Sequence, residues 1–195
     1  NPPLKGMDSI DYRKWHYDGP LDKKKIDNNF SSFINILKNF GTEIISLNHK
    51  ENFFDSVFPH DASLVTNYGA IILNMRKTLR NEEPNLHKTL YESLHIPIIG
   101  MIESPGTVEG GDCLWTDEKT LVIGRGFRSN ASGIKQLTTI LSDYGINVLS
   151  FDLPYYQGPE ACLHLMSLIS ILDCDLAIIY QPLFPVELLK LLHND

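Results

Sequence analysis

Two acids and a histidine recur at nearly equal intervals along this chain. Asp61, Asp112 and His164 are 51 and 52 residues apart, and each opens, or lies on, an apolar strand-like run that is followed by a helix-like run. Carboxylates and imidazoles are side chains that enzymes use to transfer protons. A repeating unit with such a residue at its equivalent point can gather all three around a central axis. The spacing therefore predicts an active site made by repetition.

The elements that would position these residues form strand–strand–helix–strand units. Apolar runs predict strands, and helical spacing of apolar residues predicts helices, two of which stop at Gly41 and Gly145. The predicted strands span 43–47, 62–66, 70–75, 98–102, 113–115, 121–124, 148–151 and 176–180, and the apolar run 163–171 opens the third unit. The predicted helices span 21–40, 84–94, 131–144 and 185 to the end, with a loop at 48–60 and turns at 67–69, 117–119 and 173–175. A period of about 50 residues is typical of closed or stacked repeats.

Length and unit count bound the domain organisation. The 195 residues, 43% of them hydrophobic, suffice for one well-cored domain or for most of a larger one. The chain begins with Asn1, Pro2 and Pro3 and ends inside the helix of its third unit. We therefore expect a single domain, 1–195, that is truncated at both ends relative to a longer protein.

The composition argues against several classes of partner. The net charge is −7 and the basic residues cluster only at 23–25, whereas binding to nucleic acid requires a concentrated basic surface. The apolar runs are too short to cross a bilayer, and no leader sequence opens the chain, so we expect a cytoplasmic protein. Three cysteines without a CxxC pair indicate reduced thiols. The histidines other than His164 follow no metal-ligand spacing, so we predict no metal and no cofactor; homo-oligomerisation stays open.

Five short motifs in a fixed order carry a family resemblance. They are FPHD at 58–61, Arg80, VEGGD at 108–112, GRGFRSN at 124–130 and LHL at 163–165. In this order the chain resembles the guanidine-modifying enzymes of the pentein fold: dimethylarginine dimethylaminohydrolase, arginine deiminase and the amidinotransferases. The resemblance covers nearly the whole chain. It implies a pentein-type α/β propeller of five ββαβ units around a central pocket, of which this chain would supply about three.

The resemblance also implies a reaction, the hydrolysis of a C–N bond in a guanidino compound. His164 resembles the general acid/base of the family, and Glu109 resembles the acid that orients its imidazole. Asp61 resembles the carboxylate that binds the planar guanidinium in bidentate fashion. Asp112 resembles a second acid that faces the pocket.

Four more residues resemble the family's contacts with a small guanidino substrate, either arginine or a methylated arginine. Arg80 and Arg128 resemble the arginines that hold the α-carboxylate. Phe58 would lie beside the guanidinium plane, and Asp55 would help to position it. Two positions depart from the family pattern: His60 stands where dimethylargininases tend to carry an acid, and Met166 where arginine deiminases tend to carry an aspartate. The substrate within the family is therefore open.

The nucleophile also departs from the family pattern. The family's nucleophile is a cysteine of the fifth unit, and no cysteine of this chain occupies a matching place. Cys113 should point to the opposite face of a strand from its neighbour Asp112, and Cys174 falls in a predicted turn. Cys162 shares a face with His164 if that segment is extended.

Each motif taken alone has an ordinary structural interpretation. Glu-Gly-Gly-Asp is commonly a turn, a histidine in an apolar run is commonly a hydrogen-bonded core residue, and isolated arginines are commonly solvated. The order of the motifs and the repeat favour the functional interpretation. Two classes of function remain. One is a cysteine-dependent hydrolase, with amidinotransferase as its alternative, and the other is a non-catalytic relative or fragment that binds a guanidinium ligand or a partner.

Overall fold

Short strands and helices alternate along the chain in a mixed α/β fold. A computed structural model describes residues 10–47 and 53–193. The helices are α1 (Lys23–Asn39), α2 (Glu83–Ser93), α3 (Ala131–Ser142) and α4 (Val186–His193). The strands are β1 (Ser63–Thr66), β2 (Gly69–Ile72), β3 (Ile98–Met101), β4 (Cys113–Asp117), β5 (Thr120–Arg125), β6 (Asn147–Asp152), β7 (Ile169–Asp173) and β8 (Leu176–Ile179). Within these residues, no helix combines the length and apolar character that crossing a bilayer requires.

The strands form three small sheets with the same local order. In the first sheet, β2 pairs antiparallel with β1 and parallel with β3. In the second sheet, β5 pairs antiparallel with β4 and parallel with β6. A parallel strand needs a crossover connection, and α2 and α3 provide it in the first two sheets. β7 and β8 form a third antiparallel pair, which α4 follows. The predicted strand–strand–helix–strand order is confirmed in the first two units.

One apolar core joins the first two units. Ile134, Leu137 and Leu141 lie three and four residues apart on α3, so they share one face of the helix. This face packs against Leu121 and Ile123 of β5, and all five side chains belong to one buried cluster. The core fixes the second sheet under its helix and so holds the segments that precede β4 and follow β5.

One predicted strand is wrong in the structure, and one predicted apolar run is divided. Residues 43–47 form no strand, because a strand exists only through pairing and these residues instead line an apolar cavity of about 620 Å³ beside α1 and α2. The run 163–171 is also not one strand, since a 3-10 turn at Leu165–Ser167 precedes β7. The predicted loop at 48–60 falls partly outside the described residues, at 48–52.

Candidate active site

Three short 3-10 turns meet at the centre of the described structure. They span Pro59–Ala62, Gly110–Asp112 and Leu165–Ser167, directly before or close to the first strand of each unit; we call them the three site turns. Asp61 and Asp112 lie within the first two, and His164 is the N-cap of the third. The predicted convergence is confirmed, because His164 Nε2 lies 3.9 Å from Asp61 Oδ1.

Each acid of the repeat accepts a backbone N–H of the next site turn. Asp61 Oδ1 accepts from Gly111 N at 2.9 Å, and Asp112 Oδ1 accepts from Leu165 N at 3.1 Å. The N–H groups at the start of a helical turn lack partners within the turn, and the incoming carboxylates satisfy them. The two acids therefore tie the three turns together.

The two glycines of the second site turn are there because other groups approach their α-carbons closely. A Cβ on Gly110 would overlap the carbonyl oxygen of His60 and lie 2.8 Å from its carbon. A Cβ on Gly111 would lie 2.8 Å from the ring of His164 and 3.0 Å from Asp61 Oδ1. Close approach of the His60 backbone at Gly110 and of two side chains at Gly111, and not an unusual φ angle, accounts for this pair.

Asp112 is the carboxylate that holds the imidazole. Its Oδ1 lies 3.1 Å from His164 Nδ1, and its Oδ2 accepts a hydrogen bond of 2.6 Å from Ser129 Oγ. The sequence reasoning expected Asp112 to face the pocket, but the residue is fully buried behind the ring. The reason is that Ser129 and the Leu165 N–H draw its carboxylate into the junction of the second and third site turns.

Glu109 lies on the opposite side of the ring. Its Oε2 is 3.5 Å from His164 Nε2 and 3.2 Å from Arg128 Nη1. Its Oε1 accepts hydrogen bonds from the backbone N–H groups of Arg76 and Lys77. The hydrogen bond that fixes the ring is therefore to Asp112, while Glu109 forms an ion pair with the other nitrogen.

The surroundings of His164 favour its protonated form. Burial alone would lower the pKa of the imidazole, but the hydrogen bond with Asp112 and the contact with Cys162 outweigh it and raise the pKa to about 11. The ring is therefore in the imidazolium form at neutral pH, which is the form that carries a proton for transfer.

We expect His164 to stay protonated, with constant ¹⁵N ring shifts, between about pH 6 and about pH 9. Asp112→Asn removes the main group that raises the pKa, so the ring should then titrate within this window. The pKa of His164 in the folded protein lies above the usual 6.5. The His164–Asp112 pair therefore stabilises the fold fully below about pH 6.5, and this stabilisation is lost as the pH rises towards about 11. His87, whose pKa burial and Arg80 lower to about 4, serves as a neutral reference in the same spectra. Titration of His164 near 6.5 in the unchanged protein would contradict the pairing.

Arg80 is engaged by protein groups on three sides. It donates to Glu83 through Nε and Nη2 at 3.0 and 2.7 Å, to Asp61 Oδ2 through Nη1 at 2.6 Å, and to the Phe58 carbonyl at 3.0 Å. The guanidinium is buried. The structure thus brings Arg80 to the site, but Glu83, Asp61 and the Phe58 carbonyl already accept its hydrogen bonds.

Arg128 has fewer hydrogen-bond partners among the described residues than Arg80. The hydrogen bonds it makes with described residues run from Nη1 to Glu109. Its side chain lines a cavity of about 900 Å³ that Asp61 and His164 also line, and a second cavity of about 260 Å³ that contains Lys14, Arg76 and Lys77. Arg128 therefore stands between the buried acids and a basic recess.

The remaining predicted residues line the cavity of about 900 Å³ with Asp61, Arg80, Arg128 and His164. Phe58 lies on its wall with its side chain half exposed. Asp55 is buried, and its carboxylate accepts hydrogen bonds from Lys77 Nζ at 2.6 Å and Tyr17 Oη at 2.8 Å. His60 and Met166, the two departures from the family pattern, line the same cavity.

The three cysteines differ in their access to this cavity. Cys113 is buried in the core, where burial and the nearby Asp112 raise the pKa of its thiol, so it stays protonated and unreactive. Cys174 is exposed in the turn between β7 and β8. Cys162 is exposed and lines the cavity with His164.

Asp61, Glu109 and His164 form one of two groups of described residues whose geometry could hold a metal ion, the other being the exposed Asp173, Cys174 and Asp175. The ligand atoms of the first group lie within 4.8 Å of one another. These atoms already contact Arg80, Arg128 and backbone N–H groups, and a protonated imidazole is not a ligand. The donor set is therefore better matched to an organic cation than to a metal.

Sequence reasoning missed several residues that support the site. Glu83, Lys77 and Tyr17 lie outside the five motifs, and Ser129 lies within the motif at 124–130 but was given no role. The i,i+3 spacing of Arg80 and Glu83 was the one available signal. It could not indicate burial.

Comparisons with known proteins point to one family. A family model described as arginine deiminase matches residues 51–191. N(G),N(G)-dimethylarginine dimethylaminohydrolase from Pseudomonas aeruginosa is 31% identical over 129 residues, which cover 66% of this chain and 50% of that protein. The protein of the same name from Streptomyces coelicolor is 26% identical over 171 residues, which cover 85% and 63%.

A solved structure supports the fold. It is a cysteine-to-serine variant of the Pseudomonas aeruginosa protein complexed with citrulline, with a TM-score of 0.73 and 29% identity over 83% of this chain and 60% of that chain. The chain thus spans half the length of one curated relative and less than two thirds of the other.

Proposed function

Since the chain belongs to the arginine deiminase family, we propose that the protein hydrolyses a C–N bond of a guanidino substrate. The substrate class is methylated arginine or arginine, since curated relatives are dimethylarginine dimethylaminohydrolases. The attacking cysteine belongs to a part of the protein outside residues 1–195. The whole protein would then complete the pentein-type propeller of which these residues form part.

One observation carries this proposal: an imidazole and a carboxylate meet at the wall of one cavity. Asp61 can accept the N–H groups of a guanidinium, and His164 Nε2 lies 3.9 Å from its Oδ1. A guanidinium bound by Asp61 therefore has a proton donor beside its nitrogen atoms. Proximity and orientation of this kind are a large part of catalysis.

The charge of the site suits a cationic ligand. Five buried or nearly buried carboxylates face four cations when His164 is protonated, which leaves one negative charge in excess. The carboxylates are Asp55, Asp61, Glu83, Glu109 and Asp112, and the cations are Lys77, Arg80, Arg128 and His164. A buried excess charge is costly, and a guanidinium ligand would balance it.

The proposed reaction proceeds in two steps. A thiolate attacks the guanidinium carbon, the C–N bond breaks, and the leaving amine takes a proton from His164. His164 then takes a proton from water, and the water oxygen attacks the thiouronium carbon. The C–S bond breaks and the thiolate is released. Asp61 holds the substrate cation throughout. Asp112 and Glu109 hold the imidazole of His164 in place both when it is charged and when it is neutral.

The substrate-binding roles follow from the contacts of each arginine. Arg128, which lines the cavity and whose hydrogen bonds with described residues go to Glu109, is proposed to bind the α-carboxylate. Arg80 is proposed mainly to position Asp61, because Asp61 and Glu83 already occupy its donors. Phe58 would pack beside the guanidinium, and Asp55 would extend the negative wall.

We expect the 195-residue chain to release no citrulline from dimethylarginine or arginine, and the native protein with its additional cysteine to release it from one or both. Hydrolysis needs a thiolate aimed at the guanidinium carbon, and Cys162 is the one cysteine of residues 1–195 that lines the cavity. A colorimetric citrulline assay on both forms, with Cys162→Ser as the matched variant, checks this.

Each outcome of the assay separates the candidate functions. Turnover by the short chain that disappears in Cys162→Ser would make Cys162 the nucleophile and overturn the assignment. Transfer of the amidino group to an amine acceptor by the native protein would identify an amidinotransferase. Ligand binding without any turnover by the native protein would identify a non-catalytic relative.

A further inference from the structure

We infer that Glu83 is a positioning residue that keeps Asp61 available to a cationic substrate by neutralising Arg80. The inference rests on the proposed function, because it concerns how the guanidinium site of that reaction is built. Among the described residues, the hydrogen bonds of the Glu83 side chain are with Arg80, so Glu83 acts on the site through that arginine.

The geometry gives Arg80 two unequal carboxylate partners. Glu83 binds it in bidentate fashion, at 3.0 Å to Nε and 2.7 Å to Nη2, while Asp61 receives a single hydrogen bond at 2.6 Å from Nη1. Bidentate arginine–carboxylate pairs are the stronger arrangement. Glu83 is therefore the principal counter-ion of Arg80, and Asp61 is the secondary one.

The burial of Glu83 shows that it does more than interact with the dipole at the start of a helix. Acids in the first turn of a helix are common because the helix dipole favours them, and Glu83 does open α2, next to Pro84. Such acids are usually solvated, whereas Glu83 is only 2% exposed. Burial raises the pKa of this carboxyl group, and Arg80 opposes the rise. A charge buried at this cost points to a specific partner.

The consequence concerns the competition between two cations for Asp61. The guanidinium of a substrate and the guanidinium of Arg80 can both bind the carboxylate of Asp61. With Glu83 present, the charge of Arg80 is matched elsewhere and Asp61 retains its own charge for the ligand. Without Glu83, Arg80 would neutralise Asp61, and a cationic ligand would lose its attraction to the site.

The test compares a cationic ligand with its neutral isostere. We expect Glu83→Gln to raise the Kd of L-arginine about tenfold or more, while the Kd of L-citrulline changes by no more than about twofold. Isothermal titration of the 195-residue chain with both amino acids gives the ratio of the two affinities. General damage to packing would weaken both ligands alike, so the ratio isolates the electrostatic role. Glu82→Gln, which removes an exposed acid one residue earlier, should leave both values unchanged.

The possible results distinguish this inference from the proposed function. If the unchanged chain binds arginine and Glu83→Gln either binds it normally or loses both ligands equally, the inference is wrong and the proposed function stands. If the unchanged chain binds neither ligand, the proposed guanidinium site itself fails. Should Glu83→Gln not fold, Glu83→Asp preserves the charge and must keep the preference for arginine over citrulline; loss of that preference would overturn the inference.

Discussion

Asp61→Asn is expected to weaken the binding of L-arginine about 100-fold or more, because it removes one charge of a buried pair. The asparagine oxygen can still accept the hydrogen bond from Gly111 N, so the site turns should remain joined. The amide cannot balance a guanidinium, and Arg80 would then lack its second carboxylate. Isothermal titration with L-arginine measures the loss, and the melting temperature reports on the fold.

The matched control for this variant is Asp152→Asn. Asp152 pairs with Arg125 on the exposed ends of β5 and β6, so its loss removes the same formal charge away from the cavity. We expect arginine affinity to change by less than about twofold, since exposed ion pairs contribute little. Equal losses in the two variants would show that net charge, and not the carboxylate of Asp61, attracts the ligand.

Gly110→Ala is expected to abolish ligand binding and to lower the melting temperature by roughly 5 °C or more. The new methyl group would overlap the His60 carbonyl oxygen and lie 2.8 Å from its carbon. Both are backbone atoms, which no side-chain rotation can move. The first and second site turns would have to separate, and Asp61 would then leave His164. Circular dichroism on heating and titration with arginine measure the two effects.

Gly126→Ala is the control for Gly110→Ala. A Cβ at Gly126 would meet Leu153 at 3.4 Å, an ordinary contact, so we expect a change in stability within about 0.5 kcal/mol. If Gly110→Ala also melts and binds normally, the close packing of the first two site turns is not required for the site.

The sequence predicted the local order of the fold well where apolar periodicity was strong. α1, α2, α3 and α4 and the hairpin strands lie close to their predicted ranges, and Gly41 and Gly145 adopt the positive φ angles of helix ends. The failure at 43–47 has a physical cause. A run of β-forming residues becomes a strand only when a neighbouring strand supplies hydrogen bonds, and a local pattern does not contain that neighbour.

By itself, the sequence determined that Asp61, Asp112 and His164 would converge, because a repeat with one polar residue per unit encodes its own symmetry. Only the tertiary structure decided which carboxylate holds the ring, since Asp112 and Glu109 are three residues apart and both reach His164. It likewise decided that Arg80 is bound to Glu83 and Asp61. Such pairings depend on differences of about an ångström in how separate site turns dock, and hydrogen bonds weaken steeply over that distance. Spacing along a chain fixes which turns meet, but their packing fixes which atoms touch.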